Sequence, residues 1–155
     1  MKTLKESLLT DMNDVLNSGD KFIKDNIKQW LKKNLDKSAS KCKISKEPNK
    51  DGKYEVSASG DIVFKKTATS LTNGMFIWTE IDGSFYCFYN KNIITFEGSP
   101  RVVEVDFYCY NCPKLTSLEG APKEVGADFY CYNCGKKFTK DEVNKLCKVH
   151  GEIYI

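Results

Sequence analysis

Two Cys-x-x-Cys pairs carry the most chemical potential in this chain: Cys109 with Cys112, and Cys131 with Cys134. Four thiolates so spaced can close a tetrahedral zinc site, and the interval between the pairs suits one. The same residues also form a period. Phe107-Tyr108-Cys109-Tyr110-Asn111-Cys112 returns 22 residues later as Phe129-Tyr130-Cys131-Tyr132-Asn133-Cys134. Phe85-Tyr86-Cys87 stands 22 residues before the first copy, and there Asn90 holds the column of Cys112 and Cys134. Asparagine is a poor zinc ligand. A stacked coil, in contrast, uses Asn or Cys after a strand, where the side chain bonds backbone groups of the turn. The preferred reading is a packed interior in which Cys87, Cys109 and Cys131 act as small buried hydrophobes, with no metal and no cofactor. The alternative is a zinc-stapled domain built on Cys109, Cys112, Cys131 and Cys134 and acting on nucleic acid.

The elements that would position these residues follow from the same period. Leu71, Ile93 and Leu115 share a column, as do Phe96 with Leu118, and Ile81 with Val103 and Val125. Glu97-Gly98-Ser99-Pro100 reappears as Glu119-Gly120-Ala121-Pro122. A repeat of this length with apolar columns marks a leucine-rich-repeat-like solenoid, here of about three to four coils over residues 60–138. The fold class is α/β. Ile62 and Phe64 take the inward places of a degenerate first coil.

A solenoid exposes an apolar cross-section at each end and needs caps there. Residues 1–59 read as the N-terminal cap. Leu4, Leu8, Met12, Val15 and Leu16 predict a helix over 3–17. Asn17-Ser18-Gly19-Asp20 reads as a stop, with Asp20 capping a second helix that runs to about Leu35. Lys41–Lys46 and Tyr54–Ala58 then read as a hairpin across Asp51-Gly52. Met75-Phe76-Ile77-Trp78 is apolar enough to pack against this cap. Residues 139–155 read as the C-terminal cap. Thr139 and Glu142 form a capping box for a helix to Val149 carrying Val143, Leu146 and Cys147 inward, and Ile153 and Ile155 alternate as a closing strand.

Composition narrows the function classes. The 155 residues include seven cysteines, an odd number, and no secretory leader opens the sequence. A disulfide scaffold is therefore not expected, and a reducing cytoplasm is. No apolar run suits a membrane span. The net charge is +3, with 13 lysines against 8 acids in residues 1–53 and a slight acidic excess afterwards. That balance lacks the concentrated basic patch of a nucleic-acid binder. Neither a nucleophile motif nor a phosphate loop occurs, and His150, the only histidine, reads as a surface residue. An enzyme is not expected.

Strand alternation supplies the candidate site. With Phe85, Phe107 and Phe129 inward, Tyr86, Tyr108 and Tyr130 point out. With Cys87, Cys109 and Cys131 inward, Phe88, Tyr110 and Tyr132 point out. Stacked coils align these six rings in two rows, an aromatic face suited to a protein partner, while a ladder that only stabilises the sheet is the competing role. Asp106 and Asp128 repeat with the period and read as stacked polar positions at a strand start.

The repeat Leu115-Thr116-Ser117-Leu118-Glu119-Gly120-Ala121-Pro122-Lys123-Glu124-Val125-Gly126, the start Lys5-Glu6-Ser7-Leu8 and the ending Cys134-Gly135-Lys136-Lys137-Phe138-Thr139 resemble short leucine-rich-repeat-like proteins of tailed phages of gut bacteria and their hosts. The likeness covers residues from about Gly60 onward well and the N-terminal helices loosely. It departs at Val105-Asp106 and Arg101-Val102. It implies a fold and a phage-related source acting in the host cytoplasm. The function expected is a non-enzymatic interaction module with an unidentified protein partner.

Overall fold

The computed structural model describes residues 4–155. The expected helix start at Thr3 lies outside the described residues. The chain opens with one long helix, α1 (Leu4–Asn34), followed by a short 3-10 turn at Ser38–Lys41. An antiparallel hairpin follows, β1 (Cys42–Ile44) and β2 (Tyr54–Ser59), paired through Lys43 and Ser57. Then come β3 (Ile62–Val63), β4 (Phe76–Asp82), β5 (Phe85–Tyr86), β6 (Val102–Val103), β7 (Phe107–Tyr108), β8 (Glu124–Val125) and β9 (Phe129–Tyr130). The chain closes with α2 (Lys140–Asn144), β10 (Lys148–Val149) and β11 (Ile153–Tyr154).

These strands build two sheets. One runs β1-β2-β4-β6-β8-β10 and the other β11-β9-β7-β5-β3. Every pairing except the hairpin is parallel. Each turn contributes one strand to each sheet, so the body is a parallel-strand solenoid of about five turns. That exceeds the expected three to four coils. Elements read as caps take part in the end turns: β2 joins β3, the strand of the expected degenerate first coil, in the first turn, and β10 and β11 form the last.

The interior is one continuous core. Val56, Ile62, Leu71, Ile81, Phe96, Val103, Leu115 and Val125 are all fully buried. Phe85, Phe107 and Phe129 stack through it at centroid distances of 5.1 Å, as the alternation predicts. The Gly-x-Pro corner is a backbone requirement. Gly98 and Gly120 sit at φ 83° and 79°, and a Cβ on Gly120 would lie 2.5 Å from the Glu97 backbone. Only glycine fits that corner.

The N-terminal region corrects the expectation of two helices. Asn17-Ser18-Gly19-Asp20 does not break α1. One glycine in a helix interior costs only about 1 kcal/mol, and no proline occurs before Pro48 to force a stop. Asp20 does not cap a second helix; its carboxylate accepts a 2.6 Å hydrogen bond from the Tyr54 hydroxyl. The second half of α1 covers the solenoid end through Ile27 and Leu31, with Leu35 just past the helix, all buried. Trp30 meets Phe76 at 5.4 Å and Phe64 at 6.2 Å, edge to face. The expected contact of Met75–Trp78 with the helix is thus made by Phe76, while Met75 and Ile77 stay exposed. Lys65 closes the helix end, its ammonium donating to the Lys32 and Lys33 carbonyls, where the helix dipole favours a cation.

At the other end the capping box forms, with Thr139 Oγ1 accepting from the Glu142 amide. The helix is shorter than expected, however. It ends at Asn144, and Lys148–Val149 becomes the outermost strand of the larger sheet, paired with Glu124–Val125. Val143 and Cys147 face inward as expected, while Leu146 is exposed. Extending the helix would leave Glu124–Val125 as an unpaired edge, and pairing that backbone wins.

Candidate interaction face

The face is built on the smaller sheet by a ladder that begins with backbone bonds. Phe85, Cys87 and Tyr89 donate to Asp106, Tyr108 and Tyr110, and Phe107, Cys109 and Asn111 donate to Asp128, Tyr130 and Tyr132. Pairing therefore extends beyond the two-residue strands, and each residue stands directly over its counterpart 22 positions away. The residue that turns the chain out of each rung has a left-handed backbone: Tyr89, Asn111 and Asn133 at φ 54°, 56° and 51°. Asparagine tolerates that region better than most residues.

A column of Asp61, Ser84, Asp106 and Asp128 sets the start of the rungs. Asp61 Oδ1 accepts from the Ser84 amide, and Ser84 Oγ accepts from the Asp106 amide. Asp106 Oδ1 then accepts from the Asp128 amide at 2.9 Å, and Asp128 Oδ1 from the Glu152 amide at 2.7 Å. The second oxygen of Asp106 and of Asp128 holds a ring. Tyr108 and Tyr130 donate their hydroxyls to Asp106 Oδ2 and Asp128 Oδ2, both at 3.0 Å. One carboxylate thus clamps the next rung and orients its own tyrosine. Burial and, after it, the neighbouring carboxylate push the Tyr108 hydroxyl well above the ordinary tyrosine range, and Tyr130 up to about 12.

All six expected site residues lie where alternation places them, outward and half-buried. Tyr86, Tyr108 and Tyr130 form the first row, with centroids 4.7 and 4.6 Å apart and planes within 15°. Phe88, Tyr110 and Tyr132 form the second row at 5.2 and 4.9 Å. The rows touch edge to face, with Tyr86 against Phe88 at 5.9 Å and Tyr108 against Tyr110 at 6.4 Å. Because ring faces are spent on one another, the surface presents ring edges. Aromatic edges carry the positive lobe of the quadrupole and attract carbonyl and carboxylate oxygens.

Two residues join the face that sequence reasoning did not include. Tyr154 extends the first row, stacking on Tyr130 at 4.6 Å, and it is exposed. It falls 24 residues after Tyr130 rather than 22, because α2 lengthens the last turn. Its place inside the Ile153-x-Ile155 alternation was the available signal. Tyr89 flanks the second row, exposed, with the Lys66 ammonium 4.9 Å from its ring centre.

The thiols lie behind this face. Cys87, Cys109, Cys112 and Cys131 are buried and Cys134 is half-buried; none is in a disulfide. Cys112 donates to the Cys87 carbonyl at 3.1 Å, and Cys134 donates to the Cys109 carbonyl at 3.3 Å. In the same column, Asn90 donates to the Ala68 and Lys65 carbonyls, and its Oδ1 accepts from the Asn92 and Ile93 amides. Asn and Cys thus serve one purpose, tying each turn to the coil before it. Cys131 and Cys134 bring their sulfurs to 3.9 Å, but no group of three or more His, Cys, Asp or Glu side chains is placed to hold a metal ion among the described residues. The four cysteines of the zinc alternative are spread over two rungs, and Cys109, Cys112 and Cys134 are directed at backbone carbonyls. Burial pushes the Cys109 thiol up to about 11.

His150 lies outside this face, its Nε2 2.6 Å from Glu124 Oε1. Among the described residues no helix is long and apolar enough to cross a membrane. No family model matches this sequence, and no curated protein or solved structure matches it either.

Proposed function

We propose that this protein is a non-enzymatic protein-interaction module that binds a polypeptide through the aromatic face of Tyr86, Phe88, Tyr108, Tyr110, Tyr130 and Tyr132. One observation carries the reading: two rows of stacked, half-buried rings form a single surface with their edges outward. Tyrosine brings large contact area at low conformational cost, which is why it is enriched at binding hot spots. A polypeptide offers the carbonyl and carboxylate oxygens that ring edges attract.

The coil is read as leucine-rich-repeat-like on its Leu115 and Leu118 columns and its Asn90, Cys112 and Cys134 column. The second parallel strand in each turn is a departure from that pattern. A tailed-phage source and action in the host cytoplasm are proposed from the same repeat, and seven free thiols are compatible with a reducing compartment.

The test is affinity capture from host lysate with the wild type and with a Tyr110→Ser, Tyr132→Ser variant. Those rings make no side-chain hydrogen bond to an aspartate, so the fold should survive their loss. A polypeptide retained by the wild type and lost by the variant supports the face. An unchanged set of captured proteins rejects it.

A further inference from the structure

Residues 6–19 of α1 are exposed without exception, although five of them are large and apolar. Leu8, Leu9, Met12, Val15 and Leu16 are 51–70% exposed, and Phe22, one turn further on, is 69% exposed. The described part of this arm, ahead of the point where Asp20 is tied to Tyr54, is about 25 Å long at 1.5 Å per residue. Most helical stability in proteins comes from packing an apolar face, and Asn13, Asn17 and Gly19 are poor helix formers. An apolar stripe on such an arm calls for a covering surface.

We propose that the cover is the same arm of a second copy, in an antiparallel helix pair. The stripe has the spacing a helix pair needs. Leu8, Met12, Val15, Gly19 and Phe22 follow one another at steps of four and three, a heptad seam that is complementary to itself. Leu9 and Leu16 widen it on one side. Charge selects the direction. Glu6, Asp11, Asp14 and Asp20 outnumber the one lysine, Lys5, over positions 4–20, and Lys21, Lys24 and Lys28 come next, with Asp25 among them and paired to Lys28. Antiparallel arms set the acidic end of one against the lysines of the other, whereas parallel arms set like against like. Antiparallel packing also keeps the two solenoid bodies apart. Covering the stripe buries about 500 Å² per arm, so the pair reaches about 1,000 Å², the lower bound of a specific contact. The contact is therefore a reversible one.

The test is sedimentation equilibrium of the full chain between about 1 and about 200 µM, with small-angle scattering on the concentrated sample. A concentration-dependent dimer, with two bodies separated by the length of the arms, is expected. A Met12→Glu, Val15→Lys variant should weaken that dimer at least about tenfold while its melting, followed by tryptophan fluorescence, stays that of the wild type. The arm should also lose helical circular dichroism in the monomeric variant. A wild type that stays monomeric throughout overturns the proposal, as does a dimer the variant leaves intact. Bodies packed side by side would reject the antiparallel pair. Binding of monomeric wild type to phosphatidylcholine vesicles, abolished in the variant, would assign the stripe to a lipid surface instead.

Discussion

The two halves of α1 follow one apolar pattern and meet opposite fates. Leu8, Met12, Val15 and Phe22 continue without a break into Ile23, Ile27, Trp30 and Leu31, at helical spacing throughout. Ile27 and Leu31 are buried against the end of the solenoid, and Val15 is 70% exposed. The difference lies in what each half faces. The second half lies against Phe64, Phe76 and the hairpin, whose own apolar faces need covering. The first half extends past the solenoid end. Periodicity states which side of a helix is apolar; it does not state whether anything is there to meet it.

The comparison can be broken most forcefully inside the body. Phe107 stacks between Phe85 and Phe129 and contacts Phe96. Phe107→Ala should cost about 3–5 kcal/mol in denaturant unfolding. A loss of less than about 1 kcal/mol would show that the interior is loosely held. Within α1 the contrast should appear as a pair of variants. Leu31→Ala should cost about 2–5 kcal/mol, and Leu16→Ala should leave the body within about 0.5 kcal/mol, both followed by the fluorescence of Trp30 and Trp78. Equal losses would mean that the first half of α1 is packed on the body after all.

Smaller effects sharpen the account of the turns. Asn90→Ala should cost about 1–3 kcal/mol, because two carbonyls and two amides lose their partner together. Asn90→Cys should lose less, since Cys112 and Cys134 occupy the same column. Stability should also fall at alkaline pH. Burial raises the thiols of Cys109 to about 11 and Cys147 to about 12 in the folded chain, from an ordinary value of 9.0. Above that ordinary value the unfolded chain releases protons that the folded chain keeps. Their contribution is complete below pH 9 and is lost as pH climbs toward 11–12. A melting temperature unchanged from pH 8 to pH 11 would contradict it. A small change within the face is Tyr108→Phe, which removes the bond to Asp106 but keeps the stacked ring. It should cost about 1 kcal/mol or less.

The register of the face was legible because it rests on strict repetition. Phe and Cys at alternate places, repeated every 22 residues, dictate which rings point out, and all six do. The acidic column was only half legible. Asp106 and Asp128 share the period, but Ser84 changes the residue type and Asp61 stands 23 residues earlier. Tyr154 escaped notice because α2 adds two residues to its turn. The number of turns was underestimated for a related reason. A strand of two residues carries almost no periodicity of its own, so β10 merged into a helical pattern, while β2 was read correctly as one arm of a hairpin but without its parallel pairing to β4.

What the sequence determined alone is the coil. A repeated string gives each residue the same neighbours above and below, so burial, backbone bonding and the Gly-x-Pro corner recur with it. Tertiary structure decided where the coil stops and what its ends meet. Lys148–Val149 is a strand because Glu124–Val125 offers unpaired backbone beside it. Half of α1 is core because a solenoid end lies under it, and the other half is surface because the solenoid does not reach that far.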